Sequence, residues 1–328
     1  MRVEHASWIA CVALLVSSPG CAQLEVHAAA DWSAPRVTPP EPGSSAPFFL
    51  SQTGLYRDIA NKVLAPDLLA YTPRYELWSD GADKQRWLRL PADARVDSQD
   101  VDHWQFPVGT QLFKEFARDG RRLETRLIMR TGPGARDYFM GAFVWDDAES
   151  DARFAPDGEL DVRGTEHDVP RTKLCFTCHD GEAGRVLGFS ALQLTAAALA
   201  LLSAPPDAPY HVPGDALAQQ ALGYLHANCG SCHNQHGTAW PDTDLTLRLY
   251  ASETRVEDTS LYRSTLGVKT ASARLPGVRI ERGNPAASRV YTRMASREPM
   301  VTMPPLGTEL VDEPGLTAVG TWIATLAP

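Results

Sequence analysis

Residues 121–130 read RRLETRLIMR. Leu123, Thr125, Leu127 and Met129 alternate with Glu124, Arg126 and Ile128, the two-residue period of a β-strand. Neighbouring runs behave alike: KQRWLRLP at 84–91, HWQFPVGTQLFKEFA at 103–117 and YFMGAFVW at 138–145. Between them stand the turn signals RDGRR around Asp119-Gly120 and TGPGARD at 131–137. The spacing predicts an antiparallel meander over about residues 84–146, with FPVGTQLFKEF on a central strand.

The chain has 328 residues, 44% hydrophobic and 22% charged, enough for one large core or two ordinary ones, and two domains are expected. Its formal charge is −9 and no stretch concentrates Lys and Arg, which argues against a nucleic-acid groove or an anionic membrane surface as partner. Residues 1–21 read as an export signal: one Arg, an apolar run from Trp8 to Val16, then Ser17 and Ser18 before PGC. That run is about half of the ~20 residues a membrane span needs. Cys21 is a candidate for lipid attachment, with simple cleavage as the alternative. The expected location is the periplasm or, lipid-anchored, the outer membrane.

Of six cysteines, four remain beyond Cys21, and they occur as CFTCH at 175–179 and CGSCH at 229–233. On a helical turn, positions i, i+3 and i+4 share a face, so Cys175, Cys178 and His179 point one way, as do Cys229, Cys232 and His233. Covalent haem attachment needs this arrangement: two thiols bond the porphyrin vinyl groups while the next imidazole reaches the iron. Two haem c groups are therefore expected, with a zinc site and a thioredoxin-like thiol pair as alternatives.

Before the second motif, DALAQQALGYLHAN carries Leu217, Ala221, Leu222 and Leu225 at helical spacing. About seventy residues later come MVTMPPLGTEL and VDEPGLTAVGTWIATL, with Asp312 as N-cap and Leu316, Val319 and Ile323 as an apolar stripe. Together these features resemble a class I cytochrome c domain over residues 214–328. The resemblance implies that Gly223 lies where this helix crosses the C-terminal helix bearing Gly320 and Trp322. It also implies that Met303, followed by Pro304, is the second axial ligand, with Met300 as its main rival and Met294 as a further one.

Forty-nine residues and no Met separate His179 from Cys229, so the first motif must draw its surroundings from the chain before it. The string Pro107, Gly109, Thr110, Lys114 and Glu115 resembles the small β-sheet cytochromes c′-beta and their relatives. That resemblance implies a first iron open on its far side, under aromatic residues such as Phe113, Phe116, Phe139 or Phe143; the alternative is that these rings are sheet core. His103, His167, His211, Met129 and Met140 are the other candidates for the far side, while His226 and His236 lie too near the second motif to reach across. Lys114 reads as a strand residue with a solvated ammonium, and WSDGAD around Asp80 and Asp83 as a surface turn.

The expected organisation is a signal peptide at 1–21, a Pro/Ser-rich tether at 22–47, a mainly β domain at 48–190 ending in the first motif, a connector at 191–213 holding a short helix, and the all-α domain at 214–328. The fold class is α+β in two domains. More broadly the motif order over residues 48–326 resembles exported bacterial dihaem c-type cytochromes, which implies haem content and export more than any reaction. The leading expectation is an electron carrier working with a redox partner protein. The alternative is a haem oxidoreductase or gas binder whose open first haem acts on a peroxide or nitrogen oxide.

Overall fold

The computed structural model describes residues 32–327 apart from 42, 43 and 45; the expected export signal and Cys21 lie outside the described residues. Its architecture is mixed α and β. A hairpin of β1 (Tyr56–Asp58) and β2 (Val63–Leu64) precedes a sheet of β3 (Leu69–Ala70), β4 (Asp83–Arg89), β5 (Gln111–Arg118), β6 (Arg121–Arg130), β7 (Tyr138–Trp145) and β8 (Ala152–Phe154). All six strands pair in chain order and antiparallel, so the expected meander is present. The central strand starts later than expected, at Gln111. Pro107 has no N–H to give a ladder, and Gly109 turns at φ +94° before Thr110 bonds back to the Pro107 carbonyl.

Both sheet faces are covered. On one, Trp87, Phe113, Leu127, Phe143 and Trp145 pack with Phe48, Leu50 and Leu55. On the other, Leu88 and Leu112 pack with Trp104, Phe106, Phe189, Leu194 and Leu202. Leu123 leaves the face its alternation predicts: a register shift after Phe116 turns it to Ala142, Val144, Val162 and Val169. Burying each such large apolar side chain contributes about 1.5–3 kcal/mol.

Segment 191–213 holds a short helix, of 3-10 form, at Ala196–Leu201, and Leu192, Leu194 and Leu202 in that segment are buried. Residues near the start are also docked, with Val37 against the sheet core and the Trp32 indole donating to Asp67 at 3.2 Å.

The helices are α1 (Cys175–His179), α2 (Ala216–Cys229), α3 (Ser260–Thr265), α4 (Arg289–Met294) and α5 (Glu313–Thr325). Asp215 caps α2 by accepting from Ala218 N at 2.9 Å, and Asp312 caps α5 by accepting from Gly315 N at 2.9 Å, as its sequence position predicts. The two long helices pack together around Leu222, Leu225, Val319, Trp322 and Ile323. Among the described residues no helix is long and apolar enough to cross a membrane.

Gly223 has a different neighbour from the one expected. A Cβ there would lie 2.2 Å from the Tyr75 ring, so the glycine admits the chain entering β4, while the close approaches of α5 are Gly315 to Tyr224 and Gly320 to Tyr291. The same entering segment grips α2 further along, with Trp78 N donating to Asn228 Oδ1 at 2.7 Å.

Candidate functional site

In the second motif, α2 ends at Cys229 and the helical path continues for one more turn, with His233 N donating to the Cys229 carbonyl at 2.9 Å. Cys229, Cys232 and His233 thus share a side, and all three line a cavity of about 730 Å³. That volume suits a large planar organic group. The same cavity is lined by Met303, Pro304 and Pro305, by the apolar Leu245, Leu247 and Val290, and by Arg274, Arg289 and Arg293.

His233 Nδ1 is buried without a hydrogen-bond partner among the described residues. Burial pushes this imidazole down to about 4, with Arg293 and Arg279 adding to the effect, so it is neutral at pH 7 and keeps a lone pair for a ligand. Burial raises the Cys229 thiol to about 12, which keeps it protonated.

Three methionines border the cavity, and their environments differ. Met294 is 7% exposed and belongs to the helical core, Met300 is 76% exposed at φ +70°, and Met303 is partly buried. Met303 N donates to the Arg293 carbonyl at 3.1 Å. Arg297 holds the same loop through the Met294 and Leu310 carbonyls and Thr302 Oγ1. Asp80, expected in a surface turn, is instead 2% exposed and accepts from Glu309 N and Leu310 N at 2.9 and 2.8 Å. WSDGAD is thus a clamp on the methionine loop, and only the tertiary fold brings residues 80 and 310 together.

The first motif forms α1 itself, a single turn on the face of the sheet that carries Arg126 and Lys114. His179 Nδ1 is 2.7 Å from the Arg185 carbonyl, so it donates and leaves Nε2 as the free acceptor. Burial again dominates, pushing the imidazole down to about 4 despite that bond.

The candidates for its far side mostly go elsewhere. Phe113 and Phe143 are core on the opposite face, Phe139 packs against the same core, and Met129 belongs to it. Of the four rings only Phe116 lies on the first motif's face, 5.1 Å centroid to centroid from His167. His167 is 2.7 Å from the buried Glu124 carboxylate, His103 pairs with Asp100 at 3.0 Å, and His211 lies 3.4 Å from the Arg74 guanidinium. Met140 is buried on the first motif's face, opposite Ile128.

The two motifs touch. A Cβ on Gly181, two residues after His179, would lie 1.8 Å from the Ser231 carbonyl oxygen, between Cys229 and Cys232. Thr238 Oγ1 donates to the Thr177 carbonyl at 2.9 Å, and the Cys232 thiol lies 3.6 Å from that oxygen. Contact with Cys178 pulls the Cys232 thiol below its ordinary value. Arg248 completes the junction, pairing with Glu182 and donating to the Asp102 carbonyl at 2.7 Å. Sequence reading missed Gly181, Arg185 and Arg248, because a glycine or arginine beside a motif carries no pattern that names its distant partner.

The four motif cysteines are free thiols. Among the described residues no group of three or more His, Cys, Asp or Glu side chains converges, whereas a closed zinc site needs four donors around one point. No family model, curated protein or solved structure matches this chain, so the reading of the site rests on its own residues.

Proposed function

We propose that this chain is an exported dihaem c-type cytochrome that passes electrons between two covalently attached haems and a redox partner protein. In this reading Cys175 and Cys178 tether the first haem and His179 ligates it. Cys229 and Cys232 tether the second, held between His233 and Met303 in an all-α domain of class I cytochrome c type that follows a separate β domain. Haem iron supplies one-electron chemistry when bound.

The single observation that carries the reading is the backbone contact of the two motifs at Gly181 and Ser231, which brings two tethering sites together across 54 residues of sequence. A carrier needs such closeness, because direct electron exchange is a short-range process. The chain's own residues contribute preformed surroundings. Burial keeps both imidazoles neutral, the Arg185 carbonyl fixes the His179 tautomer, and the Asp80 and Arg297 bonds hold the Met303 loop. Met303 is favoured over Met300 because a ligand must turn away from water, and Met300 is 76% exposed.

The alternative, an oxidoreductase or gas binder with an open first haem, draws support from one observation: the three histidines considered for its far side are all engaged with other side chains. The experiment is a haem count per chain, followed by reduced spectra with and without carbon monoxide. The carrier predicts two haems and no shift, and one shifted haem moves the assignment to the oxidoreductase. A colourless chain sinks both. Met303→Ala should abolish the weak thioether-to-iron absorption band, and its survival there but loss in Met300→Ala would transfer the ligand to Met300.

A further inference from the structure

Strand register puts Arg86, Lys114 and Arg126 directly opposite one another on β4, β5 and β6. Like charges so arranged repel. The outer two have counter-ions: Arg86 reaches Glu76 at 3.3 Å, which also takes Lys84 at 3.7 Å, and Arg126 holds Glu124 at 2.9–3.0 Å. Glu124 is wholly buried, and against the cost of that burial Arg126 and His167 pull its carboxyl down to about 2.

Lys114 in the middle makes no ion pair or hydrogen bond among the described residues and feels Glu124 only at longer range; its neighbour is the Phe116 ring at 4.6 Å, the same ring that Arg126 approaches at 4.6 Å. Protein packs round this lysine, which keeps part of its surface accessible. The expectation of a solvated ammonium is thereby overturned. Desolvation, reinforced by Arg86 and Arg126, pushes Lys114 well below the ordinary lysine value. The row faces the first motif, since Arg126 acts electrostatically on Cys175 and Cys178, and both Arg126 and Lys114 act on His179.

Four basic side chains, three of them in register on adjacent strands, against two carboxylates is an arrangement that an anion relieves. We propose that Arg86, Lys114 and Arg126 form a binding site for anionic oxygens on the first motif's face of the sheet, with Lys114 as the central contact. This rests on the reading of the first motif as a haem site. Two sources share the chemistry: the propionate carboxylates of that haem, or a small free oxyanion held beside it.

The test uses the full exported chain, its haem count known, with Lys114→Met and the charge-conserving Lys114→Arg. Sodium nitrite is compared with sodium chloride at equal ionic strength, reading melting temperature and the first haem's spectrum. A free-anion site predicts a saturable rise in melting temperature and a spectral change in the wild type and Lys114→Arg that Lys114→Met loses. A propionate site predicts no nitrite response, but a reduction equilibrium of the first haem at least tenfold less favourable in Lys114→Met, about 59 mV for one electron, and near normal in Lys114→Arg. If Lys114→Met matches the wild type in both respects, the proposal is wrong. Should Lys114→Met fail to fold, Lys114→Gln carries the same comparison. A chain with fewer than two haems strikes the proposed function instead, and its nitrite-dependent melting alone then decides the row.

Discussion

The two Cys-x-x-Cys-His turns are the same five-residue device in different surroundings. The second closes the end of a fourteen-residue helix and looks into a cavity of about 730 Å³ that methionines also line. The first is a lone helical turn laid on a β-sheet, facing cations and a phenylalanine ring. The contrast teaches that the motif by itself supplies only two thiols and one imidazole on a common side. What surrounds that imidazole comes from whichever element the fold brings near, a loop clamped by Asp80 in one case and charged side chains of the sheet in the other.

The largest effect expected from this contrast is in paired thiol removal. Cys229→Ala with Cys232→Ala, and Cys175→Ala with Cys178→Ala, should each halve the haem count. The first pair should also lower stability by several kcal/mol, because it leaves an apolar cavity unfilled within the helical core. Equal melting temperatures for the two double variants would erase the distinction between a built cavity and a sheet surface.

Next comes the junction. Gly181→Val should cost about 1–3 kcal/mol or more through overpacking against Ser231, and should slow electron equilibration between the haems as the motifs separate. An unchanged denaturation midpoint and an unchanged rate would show that the contact is not what couples them.

A third effect is pH-dependent. His226, buried on α2 with Leu249 N donating to its Nδ1 at 3.1 Å, is pushed down to about 3, mainly by burial. The unfolded chain binds a proton near pH 6.5 and the folded chain does not. This imidazole therefore contributes stability that is complete above pH 6.5 and is lost as pH falls toward 3, at up to about 1.4 kcal/mol per unit. His226→Gln should flatten urea-denaturation midpoints measured from pH 7 to pH 4. If the slope is unchanged, the acid sensitivity arises elsewhere.

The smallest effect is expected at Asp80. Asp80→Ala leaves Glu309 N and Leu310 N without their acceptor and should cost about 1–3 kcal/mol, while weakening the thioether band by loosening the Met303 loop. A normal band in this variant would mean that Arg297 alone suffices to hold the loop.

Much of this molecule was legible in order along the chain. The alternation in RRLETRLIMR, the turn at Asp119-Gly120, the caps Asp215 and Asp312 and the common face within each motif are all set within a few residues, where backbone geometry fixes the outcome. Such features need no knowledge of the rest of the fold. The sequence could not show that Leu123 changes face, since one register shift resets the alternation. Nor could it show that Gly223 serves Tyr75, that Lys114 lies without a counter-ion between two arginines, or that Gly181 meets Ser231. These depend on pairings between segments distant along the chain, chosen by burial of apolar surface and compensation of charge over the whole structure. By itself, then, the sequence determined the grouping of two thiols and an imidazole in each motif and the strand and helix periods; the tertiary structure alone decided what surrounds each histidine and how close the two motifs lie.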